Sequence, residues 1–532
     1  MSAITARRFT VVTAVVLMVL LLSRPFLFLS DDISVQSPVL HVALPAACQI
    51  WPGHDYSQDH LNHTDCDDTI LSPLLGDVSA LGNPRRCLEP GSRLDQYYYI
   101  PGRNWFEVRW GHVQTRCAAA EYKLSPLDSQ MDMTWRKPAD APGSEVEASQ
   151  PENTGRTAVV LRSWDTYEYT DNRLAWLRAL IAEVSLQRVG RYQIFLLVHV
   201  KNPDINLEED DAAYEQAMRD YVPEEFREMA FLFNERTLKA WYPLVEEHGA
   251  QDQMYQALQI FSQKFQQYDY VWQLEMDLRF TGHVHDTLES ASTFTRAQPR
   301  RNLWERNGRF FIPALHNNSY ENFVDAVDTE IGDAGVWGPA LSPGFTPKGP
   351  QPPSRTERDW GIGEDADLIT FMPIFDPVGT EWIYEGNVNG FAEGLSTPRR
   401  AAVVSVTRSS RRLLQLVSDA QRERGQWVVS ESILETFALL HGLKAVAVPQ
   451  PIIFTEQFGA EELDANIHKG PPHSRAGGEY STLLYSKIGF VETPWWDASY
   501  WFREESAAGQ TWQAYKEGRP LPPMLLHPVK ER

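Results

Sequence analysis

Tyr270-Val-Trp-Gln-Leu-Glu-Met-Asp277 is an apolar run, rich in β-branched and aromatic residues, that ends in two carboxylates two residues apart, Glu275 and Asp277. Such a run reads as a buried strand. Residues two apart along a strand point to the same side, so both acids can face one site at the strand's C-terminal edge. In open α/β sheets that edge is where ligands sit. Two hard oxygen donors there suit Mg²⁺ or Mn²⁺ shared with a diphosphate. The plainer alternative is a pair of solvated acids in a turn. Leu278-Arg279-Phe-Thr-Gly282-His283 follows at once. Arg279 can reach a phosphate or pair with Asp277, and His283 can orient a diphosphate or open the next helix. Trp272 reads as core.

Upstream of that strand the pattern alternates. Thr157–Leu161, Ile194–Val200 and Ala230–Phe233 read as buried strands. Leu174, Leu177, Ile181 and Val184, and again Met254, Leu258, Phe261 and Phe265, recur at helical spacing. Strands alternating with amphipathic helices predict crossover units and a mostly parallel sheet. No G-x-G-x-x-G follows the first strand and no P-loop is present, which disfavours a standard dinucleotide site or an NTPase. Residues 131–155 mix Pro, Ala, Ser, Glu and Gly without periodicity and read as a linker. The α/β domain is expected over 156–532. A second Pro-rich loop spans Leu341 to Arg358, within the folded region.

Towards the N-terminus, Arg7-Arg8 precede an apolar run from Phe9 to Leu22, which continues after Ser23-Arg24 through Pro25–Leu29 and closes at Asp31-Asp32. A bilayer span needs about 20 apolar residues, so 9–29 reads as an uncleaved signal anchor. Positive charge before it and acids after it place 1–8 in the cytosol. The remainder would then lie in the lumen of the Golgi or endoplasmic reticulum, as in a single-pass type II membrane protein. All four cysteines, Cys48, Cys66, Cys87 and Cys117, fall in 30–130 at spacings too wide for a zinc knuckle. They predict two disulfides in a luminal stem or subdomain, with three pairings open. Asn62-His-Thr64 and Asn317-Asn-Ser319 are glycosylation acceptors.

At 532 residues the chain can bury a large core. Its net charge of −22 argues against a nucleic-acid partner, which needs basic patches.

Two further acidic clusters follow the opening motif. In Asp359-Trp-Gly-Ile-Gly-Glu364-Asp365-Ala-Asp367, the acids can position hydroxyl groups or cap the next segment, Leu368–Met372. Ser430-Glu431-Ser432 opens a helix whose apolar face is Ile433, Leu434, Phe437 and Leu440. Ser430 reads as its N-cap, and Glu431 sits where the helix dipole favours an anion. His441-Gly442 ends the helix and Leu443–Pro449 follows as a strand.

Taken in order, these elements resemble the nucleotide-sugar glycosyltransferases of GT-A fold. Glu275-Met-Asp277 resembles their D-x-D motif, which holds a divalent cation on the donor diphosphate. Ser430-Glu431-Ser432 resembles their x-E-D motif, which supplies the base in inverting enzymes. The chain departs from both patterns, and Ser432 leaves Glu431 and the Glu364-Asp365 pair as alternative bases. A closer resemblance is to a fungal family of single-pass membrane proteins of unknown function. It rests on Trp272…Glu275-Met-Asp-Leu-Arg279…Thr281-Gly-His283, Gly363–Thr370 with Pro373–Pro377, and His441–Val446 with Pro449.

The resemblance implies Mn²⁺- or Mg²⁺-dependent transfer from a nucleotide-sugar donor to a glycan or glycoprotein acceptor. Asp277 with Glu275 would hold the metal, and His468 or His473 in a Gly- and Pro-flanked loop would add a ligand. Glu431, or second Asp365, would deprotonate the acceptor. Trp495-Trp496 would form a sugar-stacking wall or a small satellite core. The competing classes are a non-catalytic luminal glycan-binding or scaffolding protein, and a glycoside hydrolase, which also uses two carboxylates.

Overall fold

A computed structural model describes residues 45–53, 61–67, 75–123, 155–380, 382–455, 457–477, 498–501 and 507–531. The expected 1–8 tail, the 9–29 anchor, nearly all of the 131–155 linker and Trp495-Trp496 lie outside the described residues. Among those described, no helix is long and apolar enough to cross a membrane.

Seven strands form the central sheet: β1 Thr157–Trp164, β2 Tyr192–His199, β3 Ala230–Phe233, β4 Tyr270–Glu275, β5 Leu368–Thr370, β6 Thr407–Ser410 and β7 Ala445–Ala447. Their order is β3-β2-β1-β4-β6-β5-β7. All run parallel except β6, which lies antiparallel between β4 and β5. Near-continuous burial along β1 and β2 is what a parallel sheet covered on both faces requires. Trp272 of β4 is fully buried and stacks on Phe371 at 5.9 Å, so it belongs to the core as expected.

The flanking helices are α1 Trp110–Tyr122, α2 Asp171–Val184, α3 Gln256–Lys264, α4 Val284–Arg296, α5 Arg411–Arg424 and α6 Ser430–His441. α2 packs against α4, α3 against α5, and α5 against α6. Gly442 closes α6 in the left-handed conformation, φ 68°, as a helix-ending glycine should. The α6 start differs from expectation. Val429 holds the cap position, and the Ser430 hydroxyl instead accepts the Met254 N–H at 2.8 Å.

The cysteines pair as Cys48–Cys117 and Cys66–Cys87. The segment carrying them belongs with the α/β body to one compact unit, Ala43–Arg532. Gln114 of α1 stitches it there: its amide oxygen accepts the Ile194 N–H of β2 at 2.7 Å, and its amide nitrogen donates to the Ile194 carbonyl. The cysteine region is therefore docked on the sheet and does not stand apart as a stem.

β1, β2 and β3 run outward one way, while β4 pairs with β1 on its other side. The strand order reverses between β1 and β4, and the crevice beyond the C-terminal ends at such a reversal is where open α/β sheets bind ligands.

Candidate functional site

A cleft of about 330 Å³ opens at that reversal. Arg162 to Trp164 line it from the end of β1, His199 and Lys201 from β2, Phe233 from β3, and Glu275 to Asp277 from β4. The loop His248–Met254 and Lys530 complete it. As the strand periodicity requires, Glu275 and Asp277 reach one point. That point is His527: its Nε2 is 3.5 Å from Glu275 Oε2 and 3.4 Å from Asp277 Oδ1. The three ligand atoms lie within 4.8 Å of one another.

The C-terminal segment brings His527 there. Leu525-Leu526 pairs antiparallel with Arg279-Phe280 just beyond β4, and the Val529 N–H donates to the Asp277 carbonyl at 2.8 Å. The His527 ring is oriented by Nδ1–H donating to the Trp501 carbonyl. Nε2, buried and without a hydrogen-bond partner, is thereby aimed between the two carboxylates. A ring nitrogen fixed through its partner to a backbone carbonyl is the usual outer support of a metal-ligating histidine. Burial alone would lower the His527 pKa; its close contacts with Asp277 and Glu275 outweigh it and carry it to about 10. Burial would raise both carboxylates, yet both lie below their ordinary values. Arg162 and His527 do this for Glu275, and His527 and Lys530 for Asp277, whose Oδ2 is 2.6 Å from Lys530 Nζ.

Glu431, in the first turn of α6, is a part-exposed carboxyl on the same side of the sheet. It accepts the Val404 N–H at 3.2 Å. Burial raises its pKa, and the Glu275 charge adds to this against the Val404 bond and Arg162, bringing it to about 7. Ser432, standing where the x-E-D motif has its acid, is buried and donates to the Arg400 carbonyl.

Several expected site residues lie elsewhere. Glu364 and Asp365 precede β5, which runs parallel to β4, so they sit at the opposite, N-terminal edge of the sheet. Glu364 forms a two-pronged pair with Arg300 at 2.7 and 2.8 Å, and Asp365 pairs with Arg296 at 2.8 Å. Arg279 reaches neither phosphate space nor Asp277. It is buried, donates to the Met276 and Leu278 carbonyls, and pairs with Glu531 at 2.9 Å. Its role is to hold the C-terminal segment that presents His527.

His283 caps α4, with its Nδ1 accepting the Asp286 N–H and its Nε2 against Gln187. Burial drops its pKa to about 4; it is a helix-start residue. His473 is an exposed residue of the 3-10 helix Pro472–Gly477 and is not part of the carboxylate cluster. His468 accepts the Phe310 N–H through Nε2 and meets Asp464 through Nδ1. The C-terminal histidine at the carboxylates is thus His527. Asn62 and Asn317 are both exposed.

Fold and site together define an α/β protein with a carboxylate–imidazole cluster, whose atoms lie close enough together to hold a metal ion, at the switch point of its sheet. The chain belongs to the family described as "Protein of unknown function (DUF3405)", which matches residues 94–531. That span includes the entire sheet, the cleft, His527 and Lys530. No curated protein matches the chain.

Proposed function

We propose that this chain is a metal-dependent glycosyltransferase of GT-A type. It moves a sugar from a nucleotide-sugar donor to a hydroxyl of a glycan or glycoprotein. We further propose that it is a type II protein of the Golgi or endoplasmic reticulum membrane, anchored by 9–29 with its α/β body in the lumen. The observation that carries the reading is the convergence of Glu275, Asp277 and His527 at the switch point. The donor set fits the ion: two carboxylate oxygens and the buried imidazole nitrogen aimed between them suit Mn²⁺ better than the all-oxygen preference of Mg²⁺.

Bound there, the ion would neutralise charge developing on the leaving diphosphate. The protein's own groups do the rest. Nδ1 of His527 stays committed to Trp501 and keeps Nε2 facing the ion. Lys530, on the outer side of Asp277, is free to turn toward the diphosphate once the ion satisfies that carboxylate. Glu431, its carboxyl raised by burial to about 7, takes the proton of the acceptor hydroxyl, and a base poised near the working pH is the effective one.

A glycoside hydrolase would need one ionised and one protonated carboxyl facing the same bond. Here Glu275 and Asp277 are both held ionised, so that pair by itself does not supply the arrangement. The test is nucleotide release from a panel of nucleotide sugars, with Mn²⁺ and with chelator. Release from one donor, abolished by chelator and by Asp277→Asn, is the expected result. A folded protein that releases nothing from any donor would establish the non-catalytic alternative.

A further inference from the structure

The segment between β5 and β6 comes back beside the entry to α6. Val388-Asn389 of that segment pairs antiparallel with Trp427-Val428, the two residues that lead into α6. Its position next to Glu431 is therefore fixed by backbone pairing. Phe375, Trp382 and Tyr384 pack edge to face in series, at 5.8 Å and 80°, then 5.4 Å and 85°. Trp382 is buried and Tyr384 part-exposed, so a rigid aromatic ring is presented outward on a buried support. Asn387 donates to Asp252 Oδ1 at 3.0 Å, tying the segment to the 248–254 loop of the cleft. The Tyr384 hydroxyl is raised by burial and then by the charges of Glu431 and Asp252. The Asn387 N–H also donates to the Tyr384 carbonyl at 3.1 Å, so the ring, the amide and the Asp252 carboxylate it binds stand together at one turn.

We propose that Tyr384, Asp252 and Asn387 form the subsite for a sugar ring of the acceptor, with Tyr384 as its platform and the carboxylate–amide pair as its hydroxyl reader. This deepens the transferase reading and rests on it for the role of Glu431. A pyranose has an apolar C–H face and a polar rim. A held aromatic ring offers the apolar face its complement, and the two polar side chains reach vicinal hydroxyls at the rim. A few placed polar groups on an apolar wall are the usual composition of a small-molecule site.

The test is saturation-transfer NMR on the purified full chain with methyl glycosides of mannose, galactose and N-acetylglucosamine, in diamagnetic Mg²⁺ and nucleoside diphosphate. Transfer to the C–H protons of at least one glycoside is expected. It should fall about tenfold in Tyr384→Ala, be largely kept in Tyr384→Phe, and weaken in Asp252→Asn. Undiminished transfer in Tyr384→Ala, or no transfer to any glycoside, overturns the subsite. Thermal shift by Mn²⁺ with nucleotide sugars, read on the same proteins, reports the donor site separately. Should that shift persist in all three variants while glycoside contact is unchanged, the subsite alone fails.

Discussion

Glu431→Gln separates the energetics of the proposed base from its chemistry. In the folded chain this carboxyl sits at about 7, against an ordinary 4.5. It therefore binds its proton more tightly when folded than when unfolded. Its contribution to stability is fully present below pH 4.5, declines as pH rises, and is lost above 7. At 1.36 kcal/mol per pH unit, the interval from 4.5 to about 7 corresponds to a ceiling of about 3 kcal/mol. Solvent screening of a part-exposed carboxyl reduces this to about 1–2 kcal/mol. Glutamine keeps the shape without the charge, so Glu431→Gln should match the parent near pH 4.5 and exceed it by that amount at pH 8.5. Urea unfolding of both proteins with disulfides intact measures the difference. Sugar transfer should meanwhile fall by about 10²–10⁴-fold, with donor-induced thermal shift unchanged. The parent's kcat/KM should rise with pH through a midpoint near 7. A stability difference that does not change with pH would refute the raised carboxyl, and the assignment of Glu431 as base would go with it.

Other variants probe the surrounding parts. His527→Ala should weaken Mn²⁺ binding by about 10–100-fold, as loss of a ligand or its support does elsewhere, whereas His473→Ala should leave it unchanged in the same titration. Arg279→Met leaves the Glu531 carboxylate only Trp512 and Lys516 and should cost about 1.5–3 kcal/mol in urea unfolding, while Arg279→Met combined with Glu531→Gln should recover part of it. Asp365→Asn should leave donor-induced thermal shift intact, and its loss would place that acid in the site after all. Reducing the disulfides, which close loops of 69 and 21 residues in sequence separation, should destabilise by about 4 and about 3 kcal/mol respectively, measurable in the matching Cys→Ser pairs.

The parallel part of the sheet is legible because β1 to β4 are continuous apolar runs separated by helical periodicity, and burial on both faces demands such runs. β6 is not. Thr407-Arg-Ser-Ser410 is polar yet buried, because Arg408 satisfies itself internally, donating to the Ala366 carbonyl at 2.8 Å and lying 4.2 Å over the Tyr270 ring. No hydrophobic pattern can announce such a strand. Glu275 and Asp277 are readable from strand alternation and Glu431 from its helix-start position. His527 lies about 250 residues further on in Leu-Leu-His-Pro-Val, an apolar stretch with nothing local to link it to carboxylates; only tertiary pairing with Arg279-Phe280 makes it a neighbour. The acids of 359–367 misled for the opposite reason. Their density looks functional, but Arg296, Arg300 and Arg412 pair with Asp365, Glu364 and Asp367 at the far edge of the sheet.

The most direct test of the metal centre is pulsed electron paramagnetic resonance of Mn²⁺ bound to the purified chain. The structure predicts modulation from a directly coordinated imidazole nitrogen, absent in His527→Ala, and loss of bound Mn²⁺ in Asp277→Ala. A spectrum of hexaaquo Mn²⁺ alone, or a nitrogen coupling that survives His527→Ala, would contradict it.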